Sequence, residues 1–164
     1  MPHLSAGDAA PGFALPDVAG QTVTLSDLLS RSDAGLIVYF YPKACTPGCT
    51  KEACDFRDSV ESLERAGYQV VGISPDSPAT QARFSERHSL PFPLLCDVDH
   101  SVMEAWGAWG EKRNYGRTYT GVIRSTVVVA PDSSVVLARY NVRATGHVAR
   151  LRAELGLDQP GPAA

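Results

Sequence analysis

The chain has 164 residues, a length that suits one domain with a sizeable core and is short for two. Hydrophobic residues make up 44% and charged residues 20%, which indicates a globular protein rather than a disordered one. The 15 basic and 18 acidic residues leave a net charge of -3. Because the basic residues are also scattered, we expect no nucleic-acid or membrane binding, and partners that are small molecules or proteins.

The ends of the chain and its apolar runs predict where it resides. The longest apolar run, around residues 36–40, is far shorter than a membrane span. The N-terminus has no basic region followed by an apolar stretch, so we expect no secretory signal and a cytoplasmic location. We predict a single domain over residues 1–157 and a disordered tail over residues 158–164.

The first predicted elements are a short hairpin and a helix. Residues 13–15 and 22–24 flank a turn at residues 20–21 and predict two short antiparallel strands. A helix follows, and we expect Ser26 to cap it.

Two hydrophobic strands joined by a helix form the centre of the predicted fold. Residues 35–41 are β-branched and aromatic without polar alternation, which is typical of a central strand covered on both faces. Residues 69–74 predict a second such strand, and residues 47–66 predict a helix between the two. This order favours a parallel, right-handed crossover.

The second half of the chain completes the predicted sheet. We expect helices over residues 78–88, 102–106 and 146–155, and strands over residues 93–95, 125–130 and 135–140. The last two strands flank a turn at residues 131–134 and so predict an antiparallel hairpin. Together these elements predict an α/β, thioredoxin-like fold with a mixed central sheet, helices on both faces and an N-terminal hairpin.

Three of the four cysteines, Cys45, Cys49 and Cys54, lie within ten residues of one another. The cytosol keeps thiols reduced, so this cluster favours a catalytic, redox or metal role over a structural disulfide framework. It also lies where a central strand ends and a helix begins, which is where active sites occur in open α/β sheets. The sequence therefore predicts a functional site here.

The local sequence predicts that Cys49 is a nucleophile. Thr46 and Pro47 signal a helix start, with threonine as N-cap and proline at the first helical position, which makes Cys49 the third helical residue. A capping box has a carboxylate at that position, and here a thiolate takes its place. Free backbone N–H groups and the helix dipole favour an anion there. We expect Gly48 to leave room for a small substrate.

Cys54 lies five positions after Cys49 on the same predicted helix. An ideal helix places their Cα atoms about 8.6 Å apart. Because a disulfide needs a Cα separation below about 7 Å, the first turns of the helix must unwind if these two cysteines pair.

The pattern Pro42-x-x-x-Thr46-x-x-Cys49 resembles the peroxiredoxin signature. Residues 46–49, with Cys54 five residues on, resemble the Q-type, or bacterioferritin-comigratory, branch of that family. The Trp-Gly-Glu-Lys segment at residues 109–112 and the Thr-Tyr-x-Gly-Val-x-Arg-Ser segment at residues 118–125 resemble it as well. The similarity extends to about residue 155.

This resemblance implies an atypical 2-Cys peroxidase that reduces hydrogen peroxide and organic hydroperoxides. It implies that Cys49 is the peroxidatic cysteine, oxidised to a sulfenic acid, and that Cys54 is the resolving cysteine that closes an intramolecular disulfide. Pro42 would shield the sulfur from water, Thr46 would hydrogen-bond the peroxide, and Arg124 would hold the thiolate and stabilise the leaving oxygen. The expected reductant is a thioredoxin-like protein, without cofactor or metal, and the expected state is a monomer or weak homodimer.

Several other residues have plainer interpretations. We expect Cys96, at a strand end, to be a buried small hydrophobe. Cys45 departs from the family pattern and is expected to be a spectator, although an alternative resolving role or oxidative damage stays open. Glu52 matches a frequent family position, but the helix dipole favours it equally. The four histidines, His147 among them, are expected at the surface.

Two other functions stay open on the sequence alone. A thioredoxin-like disulfide reductase has the same fold but uses a C-x-x-C pair, a spacing that no two cysteines here have. A metal-binding protein would use Cys45, Cys49 and Cys54, but this run has no convincing fourth ligand.

Overall fold

The computed structural model describes residues 3–114 and 116–157. The strands and helices of this part, in chain order, are β1 (Ala14–Pro16), β2 (Thr22–Thr24), α1 (Leu25–Ser30), β3 (Gly35–Phe40), α2 (Pro47–Arg65), β4 (Tyr68–Ser74), α3 (Pro78–His88), β5 (Leu94–Cys96), α4 (Ser101–Ala105), β6 (Trp109–Asn114), β7 (Arg117–Val122), β8 (Ser125–Val129), β9 (Val135–Arg139) and α5 (His147–Glu154). The predicted tail, residues 158–164, lies outside the described residues. Among the helices of the described part, none is long and apolar enough to cross a membrane.

A mixed five-stranded sheet, in the order β5-β4-β3-β8-β9, forms the centre of the molecule. Strand β3 pairs in parallel with β4 and antiparallel with β8. Strand β4 pairs in parallel with β5, and β8 and β9 form an antiparallel hairpin. The predicted mixed sheet, the parallel pair that α2 connects and the N-terminal hairpin of β1 and β2 are confirmed.

Strand β3 lies at the middle of the sheet because both of its faces are covered. Leu36, Val38 and Phe40 face one hydrophobic cluster, which includes residues of α1 and α4. Ile37 and Tyr39 face the other, which includes residues of α2, α3 and α5. Fully burying one such side chain stabilises the fold by about 1.5–3 kcal/mol, so this strand is a rigid base for the loop that follows it.

Helix α1 begins two residues earlier than predicted. Its N-cap is Thr24, whose hydroxyl accepts a hydrogen bond from the Asp27 backbone N–H at 3.1 Å. Asp27 accepts one in return from the Thr24 backbone N–H, which completes a capping box. The prediction that Ser26 caps this helix was wrong, because the reciprocal Thr24 and Asp27 pair occupies the cap and leaves Ser26 inside the helix.

A second hairpin, β6 with β7, was not predicted. It pairs residues 109–114 with residues 117–122 in antiparallel register, outside the central sheet. Its strands carry mostly polar or charged residues and several glycines, so the alternation that marks a half-buried strand is missing from the sequence. The hairpin leads directly into Ile123 and Arg124, just before β8.

Candidate active site

The loop between β3 and α2 is held at the carboxyl end of the parallel strands. The Tyr41 backbone N–H donates to the Ile73 carbonyl at 3.1 Å, which extends the β3 and β4 pairing. The Ala44 backbone N–H donates to the Asp76 carboxylate at 2.7 Å, and the Ser74 hydroxyl donates to the same carboxylate oxygen at 2.8 Å. The segment that carries the cysteines is therefore fixed to the end of β4.

Cys49 is the third residue of α2, as the sequence predicted. Thr46 is the N-cap residue by backbone conformation and Pro47 begins the helix. The Thr46 side chain does not cap the helix, however, because its hydroxyl donates to the Lys43 carbonyl at 2.8 Å. The position of Thr46 was predicted correctly and its capping bond was not. Only 1% of Cys49 is exposed.

Arg124 brings a positive charge onto this buried sulfur. Its Nη2 donates to Cys49 Sγ at 3.3 Å, and its Nη1 donates to Glu52 Oε1 at 2.5 Å. The backbone on either side is fixed, because the Val142 N–H donates to the Arg124 carbonyl and the Ile123 N–H to the Ala108 carbonyl. The side chain is 15% exposed, so this cation acts in a poorly solvated place where its field is strong.

Glu52 is the functional residue that sequence reasoning undervalued. It is 0% exposed, and its Oε2 has no hydrogen-bond partner among the described residues. Burial raises the pKa of this carboxyl from 4.5 to about 7, although Arg124 opposes the rise. Burial of Arg124 lowers the pKa of its guanidinium, but Glu52 and Cys49 outweigh that effect and raise it overall. Arg124 is thus shared by a carboxyl group and a thiol.

Gly48 lies against the guanidinium of Arg124. A Cβ atom at this position would lie 3.3 Å from Arg124 Nη2 and 3.9 Å from the Ala144 Cβ. The space beside Gly48 is therefore occupied by the guanidinium that contacts Cys49. The lack of a side chain at Gly48 therefore lets Arg124 approach the sulfur.

The other predicted site residues belong to the same segment. Pro42 is half-buried and lies seven residues before Cys49, in the loop that also holds Thr46. Cys54 is half-buried and lies five residues after Cys49 in the unbroken helix α2. Cys45 is exposed, and all of these thiols are free. The structure thus brings Cys49 and Arg124 into contact and keeps Cys54 one and a half helical turns away.

Two titratable residues outside the segment, Cys96 and His147, are also buried. Cys96 is 2% exposed, and burial raises the pKa of its thiol to about 11, as suits an inert core residue. The prediction that His147 lies at the surface was wrong, because it is 2% exposed and its Nε2 lies 2.7 Å from Thr126 Oγ1. Burial lowers the pKa of His147 to about 4. Local sequence does not indicate this burial, since the histidine begins a short helix that only tertiary packing buries.

No metal centre is evident in residues 3–114 and 116–157, where histidine, cysteine and acidic side chains form no group of three or more that suits a metal ion.

A buried cysteine in the first turn of a helix that follows a central strand, in contact with an arginine, defines a thiol active site of the thioredoxin-like class.

Comparisons with known proteins agree with this class. The model of the AhpC/TSA family matches residues 6–138. A Mycobacterium tuberculosis protein named as a peroxiredoxin is 56% identical over 155 residues, which cover 94% of this chain and 97% of the relative. Peroxiredoxin Bcp of Escherichia coli is 47% identical over 135 residues, which cover 82% of this chain and 85% of the relative.

A solved structure is similar in fold as well as in sequence. The bacterioferritin comigratory protein of Xanthomonas campestris, described for its alkyl peroxide reduction activity, is 33% identical with a TM-score of 0.79. The similarity covers 88% of this chain and 90% of that one. The chain therefore belongs to the AhpC/TSA family, in its bacterioferritin-comigratory branch of peroxiredoxins, and is a thiol peroxidase. This assignment favours the peroxidase over the disulfide reductase and the metal-binding protein.

Proposed function

We propose that the chain reduces hydroperoxides through a Cys49 sulfenic acid, closes a Cys49–Cys54 disulfide and is recycled by a thioredoxin-like protein. The observation that carries this proposal is the 3.3 Å contact between Arg124 Nη2 and Cys49 Sγ in a buried site. A guanidinium at that distance stabilises a thiolate, which is the reactive form of the side chain.

The first step is attack of the Cys49 thiolate on the peroxide O–O bond. The terminal oxygen of the peroxide becomes bonded to sulfur, which is oxidised to the sulfenic acid, and the other oxygen leaves as an alkoxide or hydroxide that takes up a proton. Negative charge moves from the sulfur to the leaving oxygen during this step. Arg124 lies where it can stabilise that charge without reorganising, because Glu52 and the backbone at residues 123–124 hold it in place.

Thr46 and Pro42 would position the peroxide. The Thr46 hydroxyl gives its proton to the Lys43 carbonyl, so its oxygen is free to accept a hydrogen bond from the O–H of the peroxide. That bond would orient the substrate toward Cys49, three residues further along. Pro42, half-buried in the same loop, has no backbone N–H and would exclude water from the sulfur.

The second step is condensation of the sulfenic acid with the Cys54 thiol, which forms the disulfide and releases water. Both cysteines lie in the continuous helix α2, where a five-residue separation places their Cα atoms about 8.6 Å apart. A disulfide requires a shorter distance, so α2 must unwind between them. Reduction by a protein dithiol would then return both thiols and let the helix re-form.

A similar solved structure and the free thiols support the substrate class and the location that we propose. The Xanthomonas campestris relative, described for alkyl peroxide reduction, supports organic hydroperoxides beside hydrogen peroxide. Free thiols at Cys45, Cys49, Cys54 and Cys96 suit a cytoplasmic enzyme, because that compartment keeps thiols reduced. We propose that the enzyme works as a monomer or weak homodimer.

Peroxide consumption by the wild type and two cysteine variants tests this function. We expect Cys49→Ser to lose all turnover with hydrogen peroxide and a thioredoxin system, since no other thiol of the site contacts Arg124. Cys96→Ser, which changes a thiol that is equally buried but distant from Arg124, serves as the matched control and should keep its activity. Undiminished peroxidase activity in Cys49→Ser would refute the assignment.

A further inference from the structure

Cys45 is a thiol of the active-site segment that the proposed cycle does not use. It is exposed and lies between two anchored residues, Ala44 and Thr46. Its backbone has φ 66°, in the left-handed region that residues with a Cβ atom rarely adopt. The residue lines an open pocket of about 350 Å³ together with Arg83, Glu86 and Arg87 of α3. Its sulfur is therefore accessible from solvent.

Bringing Cys54 to Cys49 disturbs the protein core. The two residues just before Cys54 in α2, Glu52 and Ala53, are fully buried. Glu52 also holds Arg124 through the 2.5 Å ion pair. Unwinding α2 as far as Cys54 therefore displaces the buried carboxylate of Glu52 and the packed methyl group of Ala53. Both displacements cost free energy.

Bringing Cys45 and Cys49 together disturbs the protein core much less than bringing Cys54 to Cys49 does. Cys45 already lies outside the helix, so only the residues from Pro47 to Cys49 need to leave it. Of these, Pro47 is exposed, Gly48 is half-buried and Cys49 is buried. The backbone N–H groups of the first helical turn have no acceptor within the helix, so moving these residues breaks only the helical hydrogen bonds that their carbonyls accept. Three residues separate the cysteines, so the chain between them spans at most about 14 Å.

We propose that Cys45 is a second resolving thiol, which competes with Cys54 for the Cys49 sulfenic acid. This inference rests on the proposed function. The Cys45 sulfur attacks the Cys49 sulfur, an S–S bond forms, the S–O bond of the sulfenic acid breaks, and the sulfenic O–H leaves as water after taking up the thiol proton. Each sulfur ends in the disulfide state, so no other oxidant or reductant takes part. Glu52 and Arg124 stay in place, and the disulfide forms where an external reductant reaches it.

Peptide mapping after a single turnover distinguishes the two disulfides. Trypsin cuts after Lys43, Lys51 and Arg57, so Cys45 and Cys49 share the peptide of residues 44–51, whereas Cys54 lies in the peptide of residues 52–57. Reduced protein is mixed with one equivalent of hydrogen peroxide, without reductant, and free thiols are then alkylated. In Cys54→Ser we expect the 44–51 peptide to be closed on itself and to escape alkylation. In the wild type we expect this closed peptide beside the cross-linked pair of peptides.

Matched variants show whether Cys45 is the cause. Cys45→Ser/Cys54→Ser should lose the closed peptide and accumulate Cys49 as sulfenic and sulfinic acid, whereas Cys54→Ser/Cys96→Ser should keep it. If Cys54→Ser consumes peroxide but leaves Cys45 open to alkylation, the second resolving role is wrong and the peroxidase function stands. If neither the wild type nor Cys54→Ser consumes peroxide, the proposed function fails and this inference with it.

Discussion

Cys49 and Cys96 are both almost fully buried cysteines at the carboxyl edge of the parallel strands, but their surroundings differ. Cys49 lies in the first turn of α2 with Arg124 Nη2 at 3.3 Å. Cys96 ends β5, and burial raises the pKa of its thiol to about 11, with the carboxylates of Asp76 and Asp17 adding to the rise. At neutral pH the Cys96 thiol stays protonated.

This difference shows that burial alone does not decide what a cysteine does. A buried thiol without a positive neighbour behaves as a small hydrophobe, whereas a buried thiol beside a guanidinium and free N–H groups is a nucleophile. In this chain the positive neighbour of Cys49 comes from 75 residues away in the sequence. Substitution of the buried charged and titratable residues on this face of the sheet tests the difference.

Removing the charge of Arg124 should have the largest effect. We expect Arg124→Gln to lower the rate constant for peroxide by about 10²–10³, the range seen when one charge-stabilising donor is removed from an active site. Stopped-flow measurement of peroxide consumption checks this. Arg124→Lys keeps the charge but not the fork that reaches both Cys49 and Glu52, so it should recover only part of the rate.

Arg124→Gln also leaves the buried Glu52 carboxyl without its ion-pair partner, so a second variant separates the two effects. Arg124→Gln/Glu52→Gln removes the carboxyl that Arg124 would otherwise leave unpaired. A loss of rate that persists in the double variant comes from the missing contact with the sulfur. Recovery of the full rate there would show that Arg124 acts only by neutralising Glu52.

Glu52 should make the protein less stable as the pH rises. Its folded pKa of about 7 lies above the ordinary 4.5, so its contribution to stability is fully present below about pH 4.5 and is lost as the pH rises through 7. The loss amounts to at most about 3 kcal/mol. Urea unfolding of wild type and Glu52→Gln at several pH values tests this, and the two stability profiles should diverge by that amount. Parallel profiles would show that folding does not raise the pKa of Glu52.

His147 should change the pH dependence of stability in the opposite direction to Glu52, and by no larger an amount. Its folded pKa of about 4 lies below the ordinary 6.5, so its contribution is present above about pH 6.5 and is lost as the pH falls through 4. Burial is the main cause, and the nearby charges of Arg150, Glu154 and Arg124 adjust it. In the same unfolding series, His147→Gln should lose less stability than the wild type on acidification. An unchanged acid slope would mean that folding does not lower the pKa of His147.

Local signals in the sequence predicted the parts of the site that depend on local structure. The order of threonine, proline and cysteine was enough to place Cys49 third in α2. The β-branched run of β3 was enough to place the loop that joins β3 to α2. The mixed sheet followed from hydrophobic runs and turn residues. These features depend on neighbours within a few residues, which the sequence shows directly.

The remaining features depend on tertiary packing. Arg124 was identified through the family resemblance, because nothing near it in the sequence indicates a contact with α2. The burial of Glu52 and His147 arises where α2 and α5 pack on one face of the sheet, and an isolated helical sequence does not show it. The hairpin of β6 and β7 was missed because its strands are polar on both faces.

Mapping the first oxidation product tests most directly whether Cys49 is the thiol that peroxide oxidises. The reduced wild type is treated with less than one equivalent of hydrogen peroxide in the presence of a sulfenic-acid trap, and the modified peptides are identified by mass spectrometry. We expect the trap on Cys49, Cys96 to stay a thiol, and Cys96→Ser to give the same result. Trapping on Cys96, or trapping of Cys49 at an unchanged rate in Arg124→Gln, would contradict the roles proposed for Cys49 and Arg124.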